Sequence, residues 1–274
     1  MNSENSALSL NRKDRLTFKK YILMESRRSD EFEKSIAENI TQIGQENNID
    51  LKAERPTAST KYSDVLCTYN GKSAWIECKM NHTDNLSNPR FYYENGMWKT
   101  TYTTPVAEKM VDIINNSNDA KKFIEDISNY TGIDKNKIIL STTKSMLKKE
   151  NCVSLQQMID FCEQRPEKRY IFKLSDVDVG ELVRMHYSHS DDPNLEVKAS
   201  YIQSGDDFYK LSKANPLKFK SNIPMIEGMG ICNLRVSTRS QYYEIQAEIK
   251  LTRITNTSKY SFKPGTSKQL PVKI

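Results

Sequence analysis

The sequence predicts an α/β protein with a mixed central β-sheet flanked by helices, followed by an α+β region. Three features carry this prediction. Phe32, Ile36, Ile40 and Ile43 recur at helical spacing and mark the buried stripe of an opening helix. Residues 63–69 and 73–79 read as strands joined by Asn70-Gly71, the strongest short-range signal for a type I′ hairpin. A helix opened by Pro105 and a short apolar run at 137–141 then supply one crossover and a further strand.

The elements follow in order. Residues 1–10 are polar and expected to be disordered. A helix is expected from about Asp30, with Asp30 and Glu33 placed as a capping box and Gly44 near its end. Residues 49–55 read as a first strand and 56–60 as a loop before the hairpin. The polar, aromatic stretch 80–104 reads as one long connection, of the kind that is usually functional or mobile. Val106, Met110, Ile113 and Ile114 form the apolar face of the Pro105 helix, and a second helix covers about 119–130. Beyond residue 150 the pattern predicts helices at 155–162 and 176–187, the latter capped by Ser175. It also predicts extended runs at 169–174, 196–203, 207–211, 231–238 and 241–251, with a turn at Ser204-Gly205-Asp206. Past Thr255, Ser, Lys and Pro suggest a loose tail. There is no internal repeat.

Composition sets the class. The 274 residues are 37% hydrophobic and 28% charged, as in soluble globular proteins. No apolar run approaches the roughly 20 residues of a membrane span, and the first residues lack a signal-peptide pattern. The expectation is therefore an intracellular, cytoplasmic protein. Its five cysteines, an odd count without a CxxC pair, read as reduced thiols, not a disulfide frame or zinc site. The net charge of +6 is unevenly spread. Arg12, Lys13, Arg15, Lys19, Lys20, Arg27 and Arg28 cluster near the start. Lys250, Arg253, Lys259, Lys263, Lys268 and Lys273 lie in the last 25 residues, which hold no Asp or Glu. Such segments suit a polyanion, or else form a solvated surface.

Chemistry concentrates in the hairpin. Side chains two apart on a strand share a face, so Glu77 and Lys79 project together with Trp75, while Ile76 and Cys78 point the other way. Asp64, at the start of the antiparallel neighbour, brings a second carboxylate alongside. Two close carboxylates repel unless a cation joins them. Mg²⁺ suits such a pair, because it takes oxygen ligands and keeps several waters. A solvent-facing charged strand gives the same letters, but apolar neighbours make isolated charges costly here.

On these residues the chain resembles the PD-(D/E)xK nuclease superfamily, which has the restriction-endonuclease-like fold. The likeness rests on Ser63-Asp64-Val65, the hairpin, Ile76-Glu77-Cys78-Lys79, an acidic residue (Glu33) on the first helix, and the loop Arg55-Pro-Thr-Ala-Ser59. That loop is similar to one in archaeal Holliday-junction resolvases and Mrr-type enzymes. The resemblance covers roughly residues 28–142. It implies metal ligation by Asp64, Glu77 and the backbone carbonyl of Cys78, a nucleophile positioned by Lys79, and support from Glu33. Ser63 stands where the family's pattern has Pro. Glu31 and Glu38 are alternative helix acids.

The expectation is a Mg²⁺-dependent endodeoxyribonuclease, with Mn²⁺ as a substitute, acting on DNA and compatible with a homodimer. The alternatives are a non-catalytic nucleic-acid-binding protein on the same fold, or an RNA-cleaving enzyme. The expected organisation is a nuclease core at 25–150, an accessory α+β region at 151–256 and a basic flexible tail at 257–274. Substrate contacts are expected from Ser59, from His82, from the aromatic and basic stretch that begins at Arg90, and from Arg235 and Arg239 beside a glycine-rich turn at Gly228-Met-Gly230. Glu248-Ile-Lys250 is a second E-x-K without an Asp just upstream, and so a weaker site.

Overall fold

The structure, a computed structural model, describes residues 12–56, 63–81, 89–141, 143–165, 170–174, 177–188 and 198–274, with side chains from residue 28 onward. Its two five-stranded sheets are joined through helices. No helix among the described residues is long and apolar enough to cross a membrane.

Helix α1 (Arg12–Glu46) starts well before Asp30. Asp30 therefore lies inside the helix, and the expected capping box with Glu33 does not form. Of the predicted stripe, Ile36, Ile40 and Ile43 are buried and Phe32 is partly buried; Ala37 adds to it. It packs on the first sheet, which opens with β1 (Leu51–Glu54), β2 (Val65–Tyr69) and β3 (Lys72–Lys79) as an antiparallel meander. Asn70 and Gly71 turn the hairpin with φ of 48° and 72°, the two positive values a type I′ turn requires.

The stretch 80–104 is not one long connection. It contains a second hairpin, β4 (Arg90–Glu94) and β5 (Met97–Thr100), turned by Asn95-Gly96 with φ of 56° and 76°. Trp98 and Phe91 are buried in its core, so neither offers a ring for stacking on bases. Helix α2 (Pro105–Asn116), capped by Thr104, and α3 (Asn118–Thr131), capped by Ser117, follow as predicted. Residues 137–141 do not join a sheet as a strand. Leu140 bridges Tyr93 and Ile139 bridges Cys152, so the expected crossover strand is not there.

Helix α4 (Leu155–Glu163), β6 (Ile171–Lys173) and α5 (Val179–Ser188) come next. The α5 cap is Asp178, whose Oδ1 accepts from the Glu181 N–H at 2.9 Å; Ser175 lies outside the described residues. Only then does the chain return to the first sheet. β7 (Tyr201–Ser204) runs parallel to β3, in the register Glu77–Ile202 and Lys79–Ser204, and β8 (Asp207–Lys210) forms the far edge. The order is β1-β2-β3-β7-β8. A division at residue 150 therefore does not follow the sheet, whose fourth and fifth strands lie beyond residue 200.

The second sheet, β5-β4-β10-β9-β6, is completed by β9 (Gly228–Thr238) and β10 (Tyr243–Ile254). Gly228 and Gly230 are therefore strand residues, not a turn. A Cβ on Gly230 would strike Lys250 O and lie 2.7 Å from Val179 Cγ1, so glycine is what lets α5 approach this ladder. The inward residues of the second sheet, with α2, α3, α4 and α5, build one core, and Ile202 and Tyr209 of the first sheet join it. The other face of the first sheet packs on α1 and on residues 255–274.

That last segment is not a loose tail. Tyr260, Phe262 and Val272 are buried against Tyr201, Phe208 and Phe219. The Phe262 N–H donates to Gln203 Oε1 at 2.9 Å, and its carbonyl accepts from Asn39 Nδ2 at 2.7 Å. Its lysines are engaged as well: Lys263 pairs with Asp206 at 2.6 Å, and Lys268 with Asp207. The apolar side chains interleaved among the lysines decide the matter.

Candidate active site

The site lies at the C-terminal end of β3, on the face that looks toward α5. Ala74, Ile76 and Cys78 pack toward α1, while Trp75 joins the other core. Strand alternation then carries Glu77 and Lys79 to the α5 side. Beyond Val65, paired with Ile76, the β2–β3 ladder gives way to side-chain contacts. Asp64 Oδ2 accepts the Cys78 N–H at 2.8 Å. The Cys78 carbonyl points to the same side of the strand as its N–H, toward Asp64. Sequence spacing thus brings together the residues it predicts: Asp64, Glu77, Lys79 and the Cys78 backbone.

Glu77 is 5% exposed, with one partner on each oxygen. Its Oε1 pairs with Lys79 Nζ at 2.7 Å, and its Oε2 accepts from Ser63 Oγ at 3.0 Å. Ser63 thus orients the buried carboxylate. Lys79 Nζ also lies 5.3 Å from the centre of the Tyr187 ring on α5. Burial opposes the Lys79 charge, but Glu77, Tyr187 and Asp64 outweigh it and hold the ammonium above the usual lysine range. Asp64 shows the complementary effect. Burial and the neighbouring Glu77 push its carboxyl up to about 7, against the pull of Lys79 and the Cys78 N–H, with Glu33 adding to the rise. The Cys78 thiol is raised well above its usual range by burial and by Asp64, Glu77 and Glu33, which disfavours its thiolate.

Glu33 occupies a position on the buried stripe of α1, three residues before Ile36, while Glu31 and Glu38 are exposed. Its Oε1 accepts from Ser29 Oγ at 3.1 Å, and its Oε2 from Arg55 Nε at 2.7 Å. Arg55 reaches Asp30 at 2.7 Å too, and feels the charge of Asp64. Glu33 therefore acts on the site through its charge and through Arg55. Ser63, Arg55 and Tyr187 are the residues that sequence reasoning missed as site members. The signal for Arg55 was its place at the end of β1, where a long cation meets a helix acid; Tyr187 gave none, because it arrives from more than 100 residues away.

Among the described residues no set of three or more His, Cys, Asp and Glu side chains converges as a ready-made metal group. The oxygen donors here are two carboxylates, Asp64 and Glu77, and one backbone carbonyl. Their hard-oxygen chemistry fits Mg²⁺, which is commonly held by one or two carboxylates plus waters. A pair of carboxylates that raises one member's pKa so far also needs a cation to ionise fully.

The remaining predicted residues lie elsewhere. Ser59 and His82 are outside the described residues. Arg90, Arg235 and Arg239 sit on the outward face of the second sheet. Glu248 and Lys250 pair with each other at 3.0 Å on that same face, apart from any Asp of the first sheet. Comparison with protein-family models, curated proteins and solved structures finds no match to this chain.

Proposed function

We propose that the protein is a metal-dependent nuclease that hydrolyses DNA phosphodiesters at the Asp64–Glu77–Lys79 site. The observation that carries this reading is Asp64 beside Glu77. A buried charged pair at a strand end is costly, and a protein that only binds phosphates gains nothing from two adjacent carboxylates.

Asp64, Glu77 and the Cys78 carbonyl would hold Mg²⁺ or Mn²⁺. When bound, such an ion lowers the pKa of a water and neutralises charge on the attacked phosphate. The chain's own residues do the rest. Ser63 fixes the Glu77 carboxylate, and the Cys78 N–H fixes that of Asp64. Lys79, held cationic by Glu77, donates from Nζ to orient the nucleophile or a phosphate oxygen; it does not serve as the proton acceptor. Arg55 balances the charge of Glu33, keeping a third carboxylate from repelling the substrate.

The test is cleavage of plasmid and oligonucleotide DNA in Mg²⁺ and Mn²⁺. Asp64→Ala, Glu77→Ala and Lys79→Ala should each lower the rate by at least about 100-fold, the scale on which positioned electrostatic groups act, while circular dichroism stays unchanged. Ca²⁺ should support binding with little cleavage. Equal cutting by wild type and all three variants would overturn the assignment.

A further inference from the structure

The outward face of the second sheet carries a charge cluster that the nuclease site does not use. Helices cover the inward face, so this face is polar by alternation: Arg90 and Tyr92 on β4, Glu244, Gln246, Glu248 and Lys250 on β10, Asn233 and Arg235 on β9. Register places Arg90 opposite Gln246, and Gln246 opposite Arg235, so two guanidinium-bearing strands flank one amide.

At the centre is Glu244, only 1% exposed. Arg239 donates to its Oε2 from Nε at 3.0 Å and from Nη2 at 2.9 Å, and Gln246 donates to the same oxygen at 2.7 Å. Arg90 Nε lies 3.0 Å from Oε1, an ion pair whose geometry falls short of a hydrogen bond. Arg235 reaches Gln246 Oε1 at 3.4 Å. It has no ion pair among the described residues, and its Nε is buried without a partner. Two guanidiniums thus pair with one carboxylate, and a third reaches the amide beside it. With Lys250 and Glu248 alongside, the cluster holds four cations against two anions. Here Glu244 holds Arg239 and Arg90 in place while their side chains stay 50% and 44% exposed. Arginine's planar fork suits phosphate oxygens, and orienting it beforehand lowers the entropic cost of binding.

We infer that the Arg90–Arg235–Arg239 cluster on the outward face of the second sheet is a binding site for the phosphate backbone of nucleic acid, separate from the Asp64–Glu77 centre. This inference rests on the nucleic-acid part of the function proposed above, not on catalysis. It gives the second sheet a role: it is a platform for DNA outside the stretch being cut.

The test is fluorescence anisotropy of a short labelled DNA duplex with the full chain in EDTA, across a KCl series. Neutralising each phosphate contributes about 0.9 to the slope of log K against log[salt]. Arg235→Gln with Arg239→Gln should therefore flatten the slope by about 1–2 and weaken binding roughly tenfold or more at low salt. Arg235→Lys, which keeps the charge, should keep most of the slope, whereas a purely structural role would lose as much with lysine as with glutamine. Wild-type slope and affinity in the double variant would overturn the inference. So would tripolyphosphate binding by calorimetry, lost in the double variant, in a protein that does not bind the duplex, an outcome that would assign the cluster to a free phosphate. Cleavage is not read, so a chain that binds through these arginines and never cuts refutes the nuclease reading alone.

Discussion

Asp64 couples the site to pH. Its carboxyl stands near 7, above the ordinary carboxylate range, because of burial and Glu77. In the metal-free protein the folded state therefore holds a proton that the unfolded state has lost between about pH 4 and pH 7. The resulting stability is fully present below pH 4 and is lost as pH rises through 7. Melting temperatures in EDTA should fall over this interval, and Asp64→Asn should flatten the fall. Mg²⁺ replaces the proton, so it should raise the melting temperature more at pH 8 than at pH 5; an equal rise at both would remove Asp64 from the ligand set. At this scale much was legible. An Asp thirteen residues before Glu-x-Lys, across an Asn-Gly turn, brings the three side chains together by strand geometry alone. Ser63 and Arg55 were less visible, because their roles depend on which oxygen of Glu77 and Glu33 faces them. Ser63→Ala removes one of the two bonds on a buried carboxylate, a loss of about 1–3 kcal/mol. It should lower cleavage without changing DNA affinity, as separate rate and binding measurements would show.

Elements depend on a few backbone positions. Asn70-Gly71 and Asn95-Gly96 are the same dipeptide making the same turn, yet only the first stands between obvious alternating runs. The second lies in a stretch whose polar and aromatic letters mask β4 and β5, so the hairpin went unread although its turn was written plainly. Val at Gly71 or Gly96 should cost about 1–2 kcal/mol each, the penalty for a side chain in the left-handed region, measurable by urea unfolding. Gly230 is different. Its backbone is ordinary, but a side chain there meets the Lys250 carbonyl and Val179. Gly230→Val should push α5 off the second sheet and, through Tyr187, disturb Lys79. Lost cleavage with normal stability in that variant would show that α5 tolerates the displacement. Helix boundaries were legible where caps are local, as at Thr104 and Ser154. The start of α1 was not, because no breaker precedes Asp30.

For the whole molecule the decisive pairings are distant ones. Nothing local in β7 says that it lies parallel to β3, and nothing in 255–274 except its scattered aromatics says that it seals the core. Removing residues 257–274 strips Tyr260, Phe262 and Val272 from the α1 side of the first sheet. Each fully buried side chain of this kind is worth about 1.5–3 kcal/mol, so the sum is on the scale of the 5–15 kcal/mol that holds a typical domain together. The truncated chain should lose its cooperative unfolding transition by calorimetry, where a loose tail would leave it intact. The parallel pairing of β3 with β7 also bears on how the protein is made. The Asp64–Glu77 hairpin leaves the ribosome long before β7, α5 and residue 272 exist. At about 5–20 residues per second, roughly 10–40 s separate β3 from residue 272. Until then Glu77 and Lys79 lack the β7 and α5 neighbours that bury them, and the hairpin must wait in water with its charges uncovered.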